Sequence, residues 1–395
     1  METTAVREVL ALLLVAFVVG LVVRRLFVPY TVALVVVGIG LGFTNLLSGI
    51  TLTSQTILTI FLPALLFEAA INLELEELRA AVLPIVLLAI VGVAVSIAII
   101  GGLFALGLGV AGIVGVVLAT MLSATDPAAV LAVFRHMGVP KRLEMVLEGE
   151  SLFNDGTALV AFQIAVAAAA SGQFSVVRGL GQFCLTVAGG LALGAAAGWV
   201  FSHLLALTDD HLFEMGFSTI LAYGAYLVGD ALHVSPVIAV VTAGIVLGNY
   251  GRRVGLSDRA RTVVVDVWEY LAFIANSVIF LLIGQQVHAI DYRAYLLPSA
   301  LAVVLVLASR AIIIYGLAPV ISRVERHVPF SWRHVAFWGG LRGALTIAMV
   351  LSLPRDFPQH DMLVSATFSV VFFTILVQGL SMEHLVRRLK LQEAR

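Results

Sequence analysis

The chain has 395 residues, 61% of them hydrophobic and 12% charged, with a formal net charge of −1. Soluble domains carry about 25% charged residues, so a water-soluble globular protein is excluded, and the near-zero charge gives no basis for a nucleic-acid partner. A mean hydropathy of +1.08 places most of the chain in a lipid bilayer.

Thirteen apolar segments follow one another, at about 8–27, 30–47, 55–73, 80–106, 111–134, 143–171, 178–207, 212–231, 234–250, 262–287, 294–321, 332–353 and 361–385. Most approach the roughly 20 residues that a helix needs to cross a ~30 Å hydrocarbon core. Open sheets cannot span lipid, and no alternating ten-residue barrel pattern occurs. The expected fold class is therefore an all-α polytopic membrane protein of about thirteen transmembrane helices, forming a single domain over 1–395. The N-terminus lacks a basic stretch followed by a short apolar core and a cleavage site, so the first segment reads as an uncleaved helix. No soluble domain is expected, because the tail after Gly379 is short and basic.

The loops orient this count. Seventeen basic residues fall on one side, among them Arg24, Arg25, Arg79, Arg135, Lys141, Arg142, Arg252, Arg253, Arg326 and the tail residues Arg387 to Arg395, against four on the other, Arg7, Arg178, Arg293 and Arg355. This asymmetry assigns the C-terminus to the cytoplasm and the N-terminus to the outside of the cell (inner) membrane. The two remaining basic residues, Arg310 and Arg342, fall inside helices.

Two segments are interrupted. The fifth contains Ser123-Ala124-Thr125-Asp126-Pro127, where proline removes a backbone donor and disfavours helix just before it. The twelfth contains Trp338-Gly339-Gly340-Leu341-Arg342-Gly343-Ala344. The two run in opposite directions through the membrane, which points to inverted repeats, about 8–171 and 212–385, linked by the helix at 178–207. In that linker Gly190, Gly194 and Gly198 recur at four-residue spacing and predict close helix packing. Gly38-Ile39-Gly40-Leu41-Gly42 lies in an apolar helix without strand context, which excludes a nucleotide fingerprint.

The intramembrane charges share a depth. Glu68, Asp126, Asp155, Arg310 and Arg342 each lie about ten to sixteen residues inside their segments, which at ~1.5 Å per residue is near the midplane. Isolated charges there cost roughly 2.5–3.5 kcal/mol even on the gentler scales, so they imply partners or function. The sixth segment is the richest, with Glu150, Ser151, Asn154 and Asp155; residues four apart share a face, which sets Ser151 with Asp155 and Glu150 with Asn154. Three carboxylates with Thr125, Ser151 and the Asn154 amide form an oxygen-rich set suited to hard cations, and no Cys/His cluster of zinc type exists. Structural pairing is the expectation for Glu150, Arg310 and Arg342, while Asp126 is open to ion binding, pairing with Arg342, or capping. Asn276 is left between lining a cavity and bonding another helix. The histidines sit mostly at loops and helix edges, and Cys184 reads as a buried bystander.

Glu148-Gly149-Glu150-Ser151-Leu152-Phe153-Asn154-Asp155-Gly156-Thr157 is similar to the signature helix of sodium/proton exchangers of the monovalent cation:proton antiporter-1 family. Ser123-Ala124-Thr125-Asp126-Pro127 resembles that family's broken-helix motif. So do Phe61-Leu62-Pro63-Ala64-Leu65-Leu66-Phe67-Glu68, Phe280-Leu281-Leu282-Ile283-Gly284 and Gly340-Leu341-Arg342-Gly343-Ala344, in the family's order. The resemblance implies an inverted-repeat antiporter fold with two discontinuous crossing helices, working as a homodimer, with no cofactor and no enzymatic activity. It implies Asp155 as the ion- and proton-binding carboxylate, and Asp126, Thr125, Ser151 and Glu68 completing or bordering the site, while Asn154 is left between contact with the ion or carboxylate and bonding another helix. Asp155, Thr125, Ser151 and Glu68 would hold Na+. It also implies that Glu150 pairs with a core arginine, Arg310 by preference, and that Arg342 braces the crossing. Asn154-Asp155 resembles the electroneutral branch, and the lack of a long regulatory tail implies a prokaryotic transporter.

The expected function is exchange of Na+ or Li+ for H+, electroneutral and 1:1, by alternating access at a midplane carboxylate. K+/H+ exchange at the same site is the runner-up. A cation channel needs a continuous pore. An intramembrane aspartyl protease would use Asp126 and Asp155 as its dyad, but Thr-Asp-Pro and Asn-Asp-Gly lack such motifs.

Overall fold

Apolar runs in lipid must satisfy their own backbone groups, and this chain does so with helices. The computed structural model describes residues 2–23, 25, 28–44, 52–172, 175–289, 292–324 and 329–391, and every regular element among them is helical. Arg24, Arg326, His327 and Arg395 lie outside the described residues, as do the side chains of Asp258, Arg259 and His288.

In chain order the helices are α1 (Glu2–Val23), α2 (Tyr30–Gly42), α3 (Ser54–Asn72), α4 (Val82–Leu108), α5 (Gly112–Met121), α6 (Ala128–Met137), α7 (Lys141–Ser171) and α8 (Val176–Leu205). They continue with α9 (His211–Ala231), α10 (Pro236–Val254), α11 (Asp258–Gln285), α12 (Leu296–Val324), α13 (Phe330–Trp338), α14 (Ala344–Ser352) and α15 (His360–Arg388). Among the described residues nine helices are long and apolar enough to cross a membrane, namely α3, α4, α7 to α12 and α15. The first, second and fifth expected segments contain shorter apolar helices, the fifth as the pair α5 and α6. The twelfth divides into α13 and α14.

Glycine sets how closely these helices approach. A Cβ on Gly190 or Gly194 of α8 would run into the Ser235 or Ala239 carbonyl of α10, and one on Gly198 would meet Val246. The opposite side of α10 does the same to α3, where Gly244 abuts Ala70 and Gly248 abuts the Ile71 carbonyl. Helix α10 is thereby held between two neighbours, as the small-residue spacing in α8 predicts. Gly38 of α2 meets Gly284 of α11 backbone to backbone. Gly38 thus belongs to a helix crossing, and one resemblance motif, 280–284, supplies the other half.

Helix α8 is covered on one side only, and Cys184 is exposed on it. The expectation of a buried cysteine is corrected for the single chain: Cys184 lies on the uncovered side of α8, and hydropathy alone does not separate such a face from a protein interior.

Candidate functional site

The two interrupted segments cross. Residues 122–127 between α5 and α6 and 339–343 between α13 and α14 are unwound, and the Asp126 amide donates to the Leu341 carbonyl at 2.8 Å. Broken helices leave terminal N–H and C=O groups unpaired inside the membrane, and each end here meets a charge of the complementary sign. Asp126 accepts from the Ala128 amide at 3.0 Å, at the start of α6, and the same carboxylate lies against Gly343, just before the start of α14. Arg342 donates to the Ser123 and Ala124 carbonyls just past α5, at 3.0 and 2.9 Å. Arg310 donates through Nε and Nη2 to the Ala336 carbonyl near the end of α13, at 3.2 and 2.9 Å. Of the roles left open for Asp126, the structure shows capping, at the start of α6.

The approach is tight enough to dictate residue type. A Cβ on Gly343 would overlap the Asp126 carboxylate, and one on Gly340 would press the Arg310 guanidinium at 2.9 Å. The Arg342 amide is held by the Thr374 hydroxyl of α15 at 3.1 Å, which ties the second break to the last helix.

Helix α7 runs past this crossing and presents different groups on its two sides. Glu150 is buried and forms a two-pronged ion pair with Arg310, the second prong at 2.9 Å. Asn154 turns both ends of its amide to Thr125, accepting from the Thr125 amide at 3.1 Å and donating to its hydroxyl at 2.7 Å. It does not line the cavity described below and braces the unwound segment, the bonding one of the two roles left open for it. The Ser151 hydroxyl donates to the Thr125 carbonyl.

A cavity of about 260 Å³ opens beside the crossing, and Glu68, Thr125, Asp126, Ser151 and Asp155 all line it. Among the described residues no hydrogen bond or ion pair holds the Asp155 carboxylate, and its nearest charges are Asp126 and Arg342. Glu68 lies apart from that pair. It interacts electrostatically with Arg135 and Glu269 and accepts from the Asn72 amide at 3.3 Å. The cavity thus has a deep group around Asp155 and an outer group around Glu68. Among the described residues no cluster of three or more His, Cys, Asp or Glu side chains is placed to hold a metal ion.

Sequence reading assigned no role to Arg135, Glu148 and Thr346, which also line the cavity, and left Asn276, another lining residue, undecided. Glu148 was readable: Glu144, Glu148, Ser151 and Asp155 recur at intervals of four, three and four, one stripe of a helix. Thr346 had no such signal, because it follows a break whose geometry no periodicity describes. Its hydroxyl is buried without a hydrogen-bond partner.

Crossed broken helices, charge-capped in the membrane beside an unpartnered carboxylate in a cavity, define an ion-coupled secondary transporter. The comparisons make this specific. The family model for "sodium/hydrogen exchanger, transmembrane" matches residues 13–388, so the chain belongs to the sodium/hydrogen exchanger family, whose members are transporters and not enzymes. It is 41% identical over 370 residues to the Na+/H+ antiporter ApNhaP of Aphanothece halophytica, covering 92% of this chain and 70% of that one. It is 36% identical over 400 residues to the Na+/H+ antiporter NhaH of Halobacillus dabanensis, covering 97% of each. The fold matches the sodium proton antiporter MjNhaP1 of Methanocaldococcus jannaschii with a TM-score of 0.80 over the whole of both chains, at 20% identity.

Proposed function

We propose that this protein exchanges Na+ for H+ across the cell membrane, one for one, with both ions competing for Asp155. The observation that carries the reading is the Asp155 carboxylate, facing a cavity with no partner among the described residues while the other deep charges cap a helix end or pair. Names of relatives 36–41% identical over most of their length support Na+ as the substrate cation. The Ser151 hydroxyl and the oxygens of Thr125 stand beside Asp155 on the cavity wall and serve as further Na+ donors, with Glu68 extending the oxygen lining outward. Oxygen ligands suit a hard cation.

The exchange cycle follows from charge. Desolvation disfavours an ionised carboxylate, so a site of this kind is occupied by either a proton or a cation when it changes sides. Glu150 is neutralised by Arg310 and Asn154 carries no charge, which leaves one exchangeable charge in the deep group and predicts electroneutral turnover. Low pH competes with Na+, so the half-saturating Na+ concentration rises as pH falls. The cavity reaches Arg135 on the basic side of the membrane, so this state faces the cytoplasm, with the C-terminus on the same side. Family membership supports a homodimer as the working unit.

The test is reconstitution into proteoliposomes holding a pH dye, with Na+, Li+ or K+ added while the membrane potential is clamped. Na+-driven proton movement that ignores the potential and is lost in Asp155→Asn is the expected result. Movement that survives Asp155→Asn overturns the site, a response to K+ alone changes the substrate, and potential-driven turnover removes the 1:1 stoichiometry.

A further inference from the structure

The outer part of the cavity holds a side chain that the exchange cycle does not use. Arg135, near the end of α6, is within 3.1 Å of Glu144 and 4.0 Å of Glu148 on α7, and it interacts electrostatically with Glu68 on α3. It lines the same cavity as Asp155. Glu148 and Glu68 in turn interact with each other, and Glu269 of α11 with Glu68. One guanidinium is therefore shared by three carboxylates across the way in. Arg252 of α10 stands behind them, donating to the Asn72 side chain at 3.4 Å.

The pairing differs from that of Arg310 in one decisive respect. The Arg135 side chain is 61% exposed, whereas that of Arg310 is 7% exposed. The partners of Arg135, Glu144 and Glu148, are only 21% and 13% exposed, so water competes for the guanidinium while the carboxylates stay at the cavity wall, and the cation is the partner that leaves readily. A cation arriving from bulk water meets the same carboxylates that the guanidinium occupies, and each displaces the other. Charges that line a mouth also set the local concentration of incoming ions.

We propose that Arg135 is a tethered competing cation at the mouth of the ion path, and that it sets the Na+ concentration at which exchange half-saturates. It is a positioning residue for the outer carboxylates and does not touch the deep site. Glu148 and Glu68 form an outer station for the entering cation. The inference rests on the exchange reading above.

The experiment measures half-saturating Na+ and maximal exchange rate in proteoliposomes for Arg135→Gln, Arg135→Lys, Glu144→Gln and Glu148→Gln. Arg135→Gln is expected to lower half-saturating Na+ roughly two- to fivefold, and Arg135→Lys to stay near the unsubstituted protein. Glu144→Gln, which leaves the guanidinium to Glu148 and Glu68, raises it. Glu148→Gln raises it too, and Arg135→Gln has no further effect in that background. The Arg135→Gln difference shrinks at high ionic strength held with a non-transported salt. Na+-dependent shifts in melting temperature of the detergent-solubilised proteins give the same order without transport. A half-saturation unchanged or raised in Arg135→Gln, with only the maximal rate altered, overturns the inference while leaving the exchange reading intact. Exchange that persists in Asp155→Asn removes the reading beneath it.

Discussion

Glu150 and Asp155 sit five residues apart on the same membrane helix, which turns them about 140° from each other. Glu150 is 2% exposed and is held by both nitrogens of the Arg310 fork. Asp155 faces a cavity and has no such partner among the described residues. The two carboxylates share a residue class, a helix and nearly a depth, yet one is fixed and the other is free to change its charge. An intramembrane acid is therefore read by what faces it. Glu150 and Arg310 also join α7 to α13 through the Ala336 carbonyl, so the fixed pair holds the frame against which the free carboxylate works.

The largest effect that separates the two comes from breaking the fixed pair. Glu150→Gln or Arg310→Met leaves an uncompensated buried charge and is expected to cost about 3–5 kcal/mol. The double substitution recovers much of that loss, because no lone charge remains. Thermal melts in detergent, with and without lipid, check both. Asp155→Asn, by contrast, removes a desolvated and unpaired group, so its melting temperature stays level or rises while exchange is lost. A melting temperature that fell as far in Asp155→Asn as in Glu150→Gln would erase the distinction.

Next in size is the crossing itself. Gly343→Ala places a methyl group on the Asp126 carboxylate, which must leave its seat at the start of α6. Overpacking of this kind costs about 1–3 kcal/mol. Because the moved group neighbours Asp155, maximal exchange should fall about tenfold or more in Gly343→Ala. A melt measured together with the exchange rate separates the two losses. Unchanged values in both would mean that the second break can shift without disturbing the first.

Asn154→Ala tests the brace on the Asp155 side. It removes two hydrogen bonds to Thr125 and is expected to cost about 1–3 kcal/mol, since a buried backbone amide loses its acceptor. Exchange weakens through the displaced Thr125 oxygens, raising half-saturating Na+. Asn154→Asp keeps an acceptor for the Thr125 amide but buries a second carboxylate beside Asp155, so it should make turnover sensitive to the membrane potential.

What the sequence showed and what it hid divide along physical lines. Apolar runs identify membrane helices because lipid leaves the backbone no alternative, and Pro127 and the glycines at 339–343 mark the breaks by removing helix-forming groups. Depth along a helix is also readable at ~1.5 Å per residue, which is how Asp155 and its neighbours came together. The direction a side chain faces was readable only inside regular helix, as for the stripe Glu144, Glu148, Ser151 and Asp155. In the unwound strands no period exists, so the seat of Asp126 at the start of α6 and the attachment of Asn154 to Thr125 needed coordinates. Charges at opposed helix ends are a tertiary fact, and Arg342 reaching Ser123 across 219 positions of chain has no local signature.

The smallest expected effect belongs to Cys184, and it sharpens the comparison by standing outside both sides of it. The side chain is exposed on α8, a helix with only 17% of its membrane-spanning window buried. It is not part of the fixed pair and does not line the cavity, and substitution away from packed features changes stability by about 0.5 kcal/mol or less. Cys184→Ala should therefore match the original chain in melting temperature, half-saturating Na+ and maximal rate. A lipid-soluble thiol reagent should label the native chain in the membrane without slowing exchange. Slowed exchange would place a working contact on the outer face of α8. The site would then extend, through the α8–α10 glycine interface, to a surface that its own geometry leaves uninvolved.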